Sequence, residues 1–219
     1  MVKTVNENRF YFVLLAVFVL VGGIYLSQSN KADAIYYFSE NRTPFLNGAF
    51  IFINYLGEAY VYFLIGITAL AVRVRYSLMV AITGLSVMAT SFGLKTLFAI
   101  DRPSAFFAKQ NLLEKIRLID GIELHNGATS FPSGHTMSAF ALYTLLIFLL
   151  PSQKRYALSL FTIALLVGVS RIYLVQHFPP DVYAGGIIGV ALAMVIYSVQ
   201  SRLEANHEGW LDKPLFRVS

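Results

Sequence analysis

No cysteine occurs among the 219 residues, so disulfides and thiolate chemistry are excluded, and an oxidising compartment is neither required nor barred. Charge is scarce too. Only 13% of residues are charged, against about a quarter in an ordinary soluble domain. Hydrophobic residues make up 57% and mean hydropathy is +0.63, so the chain lacks the polar surface to cover itself in water and much of it must face lipid. The net charge of +5 comes without a basic run or a soluble segment that could hold nucleic acid. The excess cations therefore read as membrane-topology signals. Internal repeats, low-complexity tracts and Pro/Gly-rich linkers are also missing, and a single domain over residues 1–219 is expected.

In their place stand long apolar runs. Stretches able to span a bilayer, which takes about 20 residues, lie near 10–27, 46–71, 77–100, 132–151, 156–175 and 181–200. Backbone exposed to lipid must satisfy its own hydrogen bonds. The expectation is thus an all-α integral membrane bundle of six transmembrane helices, with an outer loop at 101–131 and a cytoplasmic tail at 201–219. Lys3, Arg9 and the small-x-small run Ala32-Asp33-Ala34 raise the alternative of a cleaved leader. However, the first apolar run has 18 residues, beyond the roughly 7–15 of a signal peptide. It reads as a retained span, and its loss would leave five spans with unchanged sidedness.

Short connections set the orientation. With the N-terminus in the cytoplasm, that side collects Lys3, Arg9, Arg73, Arg75, Lys154, Arg155, Arg202, Lys213 and Arg217. The opposite side holds Lys31, Arg42, Lys109, Lys115 and Arg117, a moderate bias that favours this topology. In the outer loop, residues 105–118 place Phe106, Leu112, Leu113 and Ile116 roughly at helical period against Lys109, Gln110, Glu114, Lys115 and Arg117. An amphipathic helix in the outer interface is expected, either as a surface connector or as a lip guiding a headgroup.

Three polar islands interrupt this apolar background: Lys95-x6-Arg102-Pro103, Pro132-Ser133-Gly134-His135, and Ser170-Arg171-x5-His177-x3-Asp181. All three fall on the outer side, and Lys95 and Arg171 fall at matched depth inside their spans. A charge within a span is costly unless it faces the bundle interior and finds partners. Together the islands suit a tetrahedral phosphate. Lys95, Arg102 and Arg171 can neutralise its oxygens, and Ser133 and Gly134 at a helix start form an anion cradle. Asp181 can accept the Nδ1–H of His177, leaving Nε2 free as a nucleophile. His135 can protonate the departing oxygen and later activate water.

The islands resemble the motifs of the type 2 phosphatidic acid phosphatase superfamily, which includes membrane lipid phosphatases, soluble bacterial acid phosphatases, glucose-6-phosphatase-like enzymes and vanadium haloperoxidases. All eleven motif letters stand in order and at the family's spacing over Lys95–Asp181. Before Lys95 the likeness rests on the six-span layout alone. The resemblance implies phosphate binding by Lys95, Arg102, Ser133, Gly134 and Arg171, with His135 as acid, His177 as nucleophile and Asp181 as its partner. It implies a lipid phosphate monoester or diphosphate as substrate: phosphatidylglycerophosphate, phosphatidic acid, undecaprenyl diphosphate or a lipid A phosphate. The expected setting is the outer face of a bacterial-type inner membrane, without cofactor, metal or obligate protein partner.

Competing readings stay in view. His135, His177 and Asp181 are ordinary zinc ligands, although three neighbouring cations would repel a divalent metal. A phosphotransferase would pass the phosphoryl group to an alcohol, a vanadate haloperoxidase would use the same cradle, and a lipid binder or transporter would not need both histidines. Glu58 is expected near the middle of the second span, paired with a motif cation or bonded as a neutral acid, with a structural role ahead of a substrate contact. His125 and His207 have no partner pattern and read as solvated loop residues. Trp210, Leu211, Leu215 and Phe216 suit an interface anchor.

Overall fold

The structure, a computed structural model, describes residues 6–150, 153–206 and 209–215, and leaves out the side chains of 153–155 and 204–206. Lys3, His207, Phe216 and Arg217 lie outside the described residues, as do the side chains of Lys154 and Arg155. The described residues contain no strand. Among the described residues these α-helices follow in order: α1 Arg9–Gln28, α2 Asp33–Glu40, α3 Pro44–Tyr55, α4 Ala59–Leu70, α5 Val74–Phe98, α6 Pro103–Lys109, α7 Gly134–Leu149, α8 Gln153–Tyr173 and α9 Pro179–Asn206. Short 3-10 turns lie at Leu113–Lys115 and Trp210–Asp212.

Local chemistry fixes several boundaries. Thr43 Oγ1 accepts from Leu46 N at 3.2 Å and Pro44 opens α3, a cap with proline at the first helical position. Ser133 caps α7 in the same way. Ala99, at φ 45°, closes α5 in the left-handed conformation that commonly ends helices.

Against the six spans expected, the described residues offer four segments long and apolar enough to cross a membrane by length and composition: α1, the Val74–Lys109 segment containing α5, Tyr156–Tyr173 of α8 and Pro179–Leu203 of α9. A fifth is possible only by joining α3 and α4, which bend by 53° at Leu56-Gly57-Glu58. The run expected at 132–151 becomes α7, whose 16 residues reach ~24 Å against a hydrocarbon core of about 30 Å. Its apolar side chains face protein instead of lipid: Met137, Phe140, Ala141, Leu142 and Leu145 are all fully buried. Hydropathy alone does not separate these two fates.

α7 is the centre of the bundle, packed most extensively on α9, then on α8 and α5. Small residues allow the closest of these approaches. A Cβ at Gly185 would stand 2.7 Å from the Ser133 carbonyl oxygen, and one at Gly189 would collide with that of Met137. The pair, four residues apart on α9, lets two backbones touch as small residues do at membrane helix interfaces.

The loop above the bundle also departs from expectation. The helix expected over 105–118 is only α6 plus a 3-10 turn, because Asn111 takes a left-handed φ of 55° and stops it. Its two-sidedness survives. Phe107 and Ile116 are buried with Ile35, Val175, Phe178 and Val182, while Lys109, Glu114, Lys115 and Arg117 are exposed. The buried Ile35 belongs to α2, a helix that the sequence pattern does not announce.

Charge divides between the two ends. Lys31 lies 3.9 Å from the Phe106 ring centre, and Arg42 Nη2 donates to the Tyr173 carbonyl at 2.8 Å, both at the end that carries the islands. At the other end the tail folds back: Lys213 O accepts from Val74 N, Leu215 N donates to Leu70 O, and Asp212 takes Arg75 at 2.6 and 2.8 Å. That guanidinium holds the Asp212 carboxyl well below the carboxylate range, at about 2.

Candidate active site

Backbone hydrogen bonds lace the three islands together. Arg102 N donates to Gly127 O and Ser130 N to Ile100 O, both at 2.9 Å, so the end of the outer loop zips against the start of α6. Ser133 N donates to Asp181 O at 3.0 Å, tying the start of α7 to the first turn of α9. After α8 the chain turns sharply. Gln176 N and His177 N both donate to Arg171 O, with Val175 at φ 58°. A β-branched residue in the left-handed region costs about 1–3 kcal/mol, and this turn brings His177 back beneath the end of its own helix.

Side chains continue the lacing. Arg102 Nε donates to Thr129 Oγ1 at 3.0 Å and Nη1 to Gln176 O at 3.4 Å. Arg171 is 4% exposed and donates through Nη1 to Asn54 Oδ1 of α3, while its Nε is buried without a partner. Lys95 Nζ lies 3.6 Å from the position of a Cβ built at Gly134. The charges of Arg102, Arg171 and Asp181 all act on Lys95, and those of Lys95 and Arg171 act on His135. Ser133 is buried, and its Oγ accepts from Thr136 N at 3.5 Å and Thr136 Oγ1 at 2.9 Å, so its hydroxyl serves α7 as a cap.

His177 is 1% exposed. Burial pushes its pKa down to about 3, aided by Arg171 and Arg102 and only partly offset by Asp181, so the imidazole is neutral at physiological pH. Its Nδ1 lies 3.5 Å from Asp181 Oδ2 and has no hydrogen-bond partner. The bond expected from the four-residue spacing is therefore drawn out. The physical reason is competition, since Oδ2 already accepts Ser130 Oγ at 2.5 Å and Phe178 N at 2.9 Å.

Glu58 is placed differently from the expectation. It does not sit mid-helix but at the break between α3 and α4, with Oε1 2.8 Å from His135 Nε2. His125 also differs from a plain solvated residue. It lies in the exposed loop, but partial burial, Arg102, Arg171 and Lys95 hold its pKa below the ordinary value, and its carbonyl accepts Ser104 Oγ at 2.8 Å. Asn54 and Ser130 carry no sequence signal beyond being polar. A polar residue before the Gly57 break is the one hint for Asn54. His135, His177 and Asp181 do not gather as metal ligands, and no cluster of three or more His, Cys, Asp or Glu occurs among the described residues.

The arrangement can thus surround a small anion with three cations and a helix start, and offers one neutral and one carboxylate-paired imidazole. Comparison with known proteins points the same way. Phosphatidylglycerophosphatase B of Bacillus subtilis is 31% identical over 100 residues, which cover 42% of this chain and 49% of that protein. The chain therefore spans about half the length of this relative. Undecaprenyl-diphosphatase of Sulfolobus acidocaldarius is 28% identical over 206 residues, 89% of this chain and 93% of that one. The crystal structure of LpxE from Aquifex aeolicus superposes with a TM-score of 0.65 at 30% identity, over 77% of this chain and 94% of that one. With its apolar helices and these relatives, the protein is an integral membrane protein. The model of the PAP2 superfamily matches residues 73–205, a stretch that holds all three islands, and the chain belongs to that superfamily.

Proposed function

We propose that the protein is a membrane lipid phosphatase that hydrolyses a phosphate monoester or diphosphate through a phosphohistidine. One observation carries this reading: Arg171 Nε is a buried donor without a partner, and the charges of Lys95 and Arg102 act beside it. Buried polar groups in native proteins are nearly always satisfied, and an anion bound here supplies what this guanidinium lacks. Beside this site, a groove of about 720 Å³ runs from Gly134 and His135 between α4 and α5, walled by Tyr62, Phe63, Ile67 and Met88. A hydrocarbon tail suits it, which favours a lipid over a soluble phosphate.

Lys95, Arg102 and Arg171 take the phosphate oxygens, and the N–H groups of the first turn of α7, beside Ser133 and Gly134, add the fixed partial charge of a helix start. Neutral His177 attacks phosphorus through Nε2. The P–N bond forms as the bond to the lipid oxygen breaks, and His135 gives that oxygen its proton. Asp181, through Oδ2, steadies the Nδ1–H side of the now charged ring. Water then loses a proton to His135 and attacks phosphorus, the P–N bond breaks, and phosphate leaves.

Sidedness follows the charge bias. The island end faces the outer side of a bacterial-type inner membrane, the Arg75–Asp212 end faces the cytoplasm, and α7 serves as a sixth crossing sheathed by the others. The relatives act, by their names, on phosphatidylglycerophosphate and undecaprenyl diphosphate. The cations here read phosphate and not the tail, so the substrate class is lipid phosphates in general. The test is phosphate release from a panel of purified lipid phosphates in detergent by the wild type and by His177→Ala. The variant is expected to stay folded and lose at least ~10³-fold in turnover; hydrolysis at the wild-type rate would remove His177 from the chemistry.

A further inference from the structure

Glu58 is the acidic group that the motifs leave out. It occupies the N-cap position of α4, yet its carboxylate makes no capping bond to that helix. Instead it reaches His135 Nε2 at 2.8 Å, with the Glu58 side chain 38% exposed. The break in the helix brings it there. A Cβ at Gly57 would lie 2.6 Å from Val167 Cγ1 and 3.3 Å from the His135 carbonyl oxygen, so only glycine lets the broken segment sit this close to α7. The carboxylate thus comes to the histidine by a close backbone approach and does no other work visible in the fold.

The surroundings of His135 make an anionic partner necessary. Lys95 from α5 and Arg171 from α8 bring positive charge toward it, and it lies in the first turn of α7, where the helix dipole disfavours a cation. The charge of His125, on the outer loop, acts on Glu58 as well. Glu58 is the negative charge that acts on His135 amid these groups. A general acid must hold a proton before the bond breaks, and three positive influences oppose that state.

We infer that Glu58 is a positioning residue that keeps His135 protonated and oriented, so that the histidine can donate to the departing lipid oxygen. The inference rests on the reading of His135 as the acid. In the first half-reaction the His135 proton moves to the lipid oxygen as the P–O bond breaks and the P–N bond to His177 forms. In the second, the proton returns from water to His135 as the P–N bond breaks. Glu58 stays ionised throughout and neither gains nor loses a proton.

The contribution of an acid depends on how much the leaving group needs one, and this separates the role from simple packing. A lipid alkoxide cannot leave without a proton, whereas p-nitrophenolate can. Full-length protein in detergent is assayed on phosphatidic acid and on p-nitrophenyl phosphate, with kcat/KM followed across pH. Glu58→Gln keeps a hydrogen bond but removes the charge. It is expected to lower kcat/KM for phosphatidic acid by about 10–100-fold and to leave p-nitrophenyl phosphate within about three-fold. The basic limb for phosphatidic acid should move down by about one pH unit, the lower end for a charge partner at a half-exposed site. Equal losses on both substrates with an unmoved limb would overturn the inference. If Glu58→Gln does not fold, Glu58→Asp retains the charge, and its basic limb should stay at the wild-type position; a limb displaced downward is the contrary result. A wild type that releases phosphate from neither compound sinks the phosphatase reading itself, a separate outcome.

Discussion

Phosphate, or its analogue orthovanadate, should stabilise this protein strongly, and the reason lies in the cations of the site. Lys95, Arg102 and Arg171 act on one another as like charges, and Arg171 is almost wholly buried with Nε unpartnered. An anion that binds the folded state alone adds RT ln(1 + [L]/Kd), about 2.7 kcal/mol at a hundred times Kd. For a chain of 219 residues, with roughly 2–4 °C per kcal/mol, the midpoint should rise by about 5–10 °C in a thermal-shift assay in detergent. Sulfate at matched ionic strength controls for screening and for general salt effects. Orthovanadate can also bond to His177 Nε2, so His177→Ala should lower its effect towards that of phosphate. Arg171→Ala should abolish both shifts. Its own cost is moderated because losing the contact to Asn54 is offset by relief of repulsion among the cations. Midpoints unmoved by phosphate and vanadate, or shifts that persist unchanged in Arg171→Ala, would refute the idea of an anion site at these residues.

Two other measurements probe the same architecture. His177 stays neutral in the fold down to about pH 3, while in the unfolded chain it takes up a proton near 6.5, so the unfolded state binds more protons in between and stability falls as pH falls. From pH 6.5 to 5 this costs about 2 kcal/mol; His177→Gln should show a correspondingly flatter acid limb in thermal unfolding, and parallel limbs would contradict the burial argument. In α9, Gly189→Leu would drive a side chain into the Met137 backbone of α7 and should cost at least about 1–3 kcal/mol, whereas Gly93→Ala in α5, with nothing within 4 Å, should leave the midpoint unchanged.

Much of the architecture is legible in the chain because hydropathy and backbone satisfaction act locally. Apolar runs in lipid have few options beyond helices, and the described residues are helical over most of each such run. The split of cations between Lys31 and Arg42 at one end and Arg73, Arg75 and Lys213 at the other also follows from spacing alone. What spacing misses is decided between helices. Gly57 stands at the break of the second run, where a Cβ would meet Val167 and His135, and no hydropathy window registers a neighbour on another helix. Ser130 displaces His177 from an ideal bond to Asp181, through its own bond to that carboxylate from 51 residues away. Asn54 and Asn47 face Arg171 and Tyr173 across the interface of α3 and α8, where an asparagine in an apolar run looks like noise. Glu58 is the instructive case. A carboxylate in a span signals expense and hence a partner, but only the break reveals that the partner is a histidine and not a cation.

The shortness of α7 connects the fold to the site. At ~24 Å it falls about 6 Å short of a hydrocarbon core, and its far end is anchored. Phe148 and Leu149 share a cleft with Tyr76, Tyr197 and Gln200, beside the end where Arg75 meets Asp212. At the island end the helix start is enclosed, with Ser133 and Thr136 fully buried. Lys95 lies in the last turn of α5 and Arg171 in that of α8, both drawn inward to meet it. On the proposed reading, burial of this start together with Arg171 and His177 sets positive charge, helix dipole and neutral imidazole in a medium of low polarity, where each acts on a phosphate far more strongly than at the surface. The outer loop then closes the depression from above, through Arg102 with Thr129 and Gln176 with the Glu123 carbonyl. The groove between α4 and α5 leaves it open toward the bilayer from the side. On the proposed reading, the buried start of α7 is thus the element that sets an anion site beside a groove a lipid can reach.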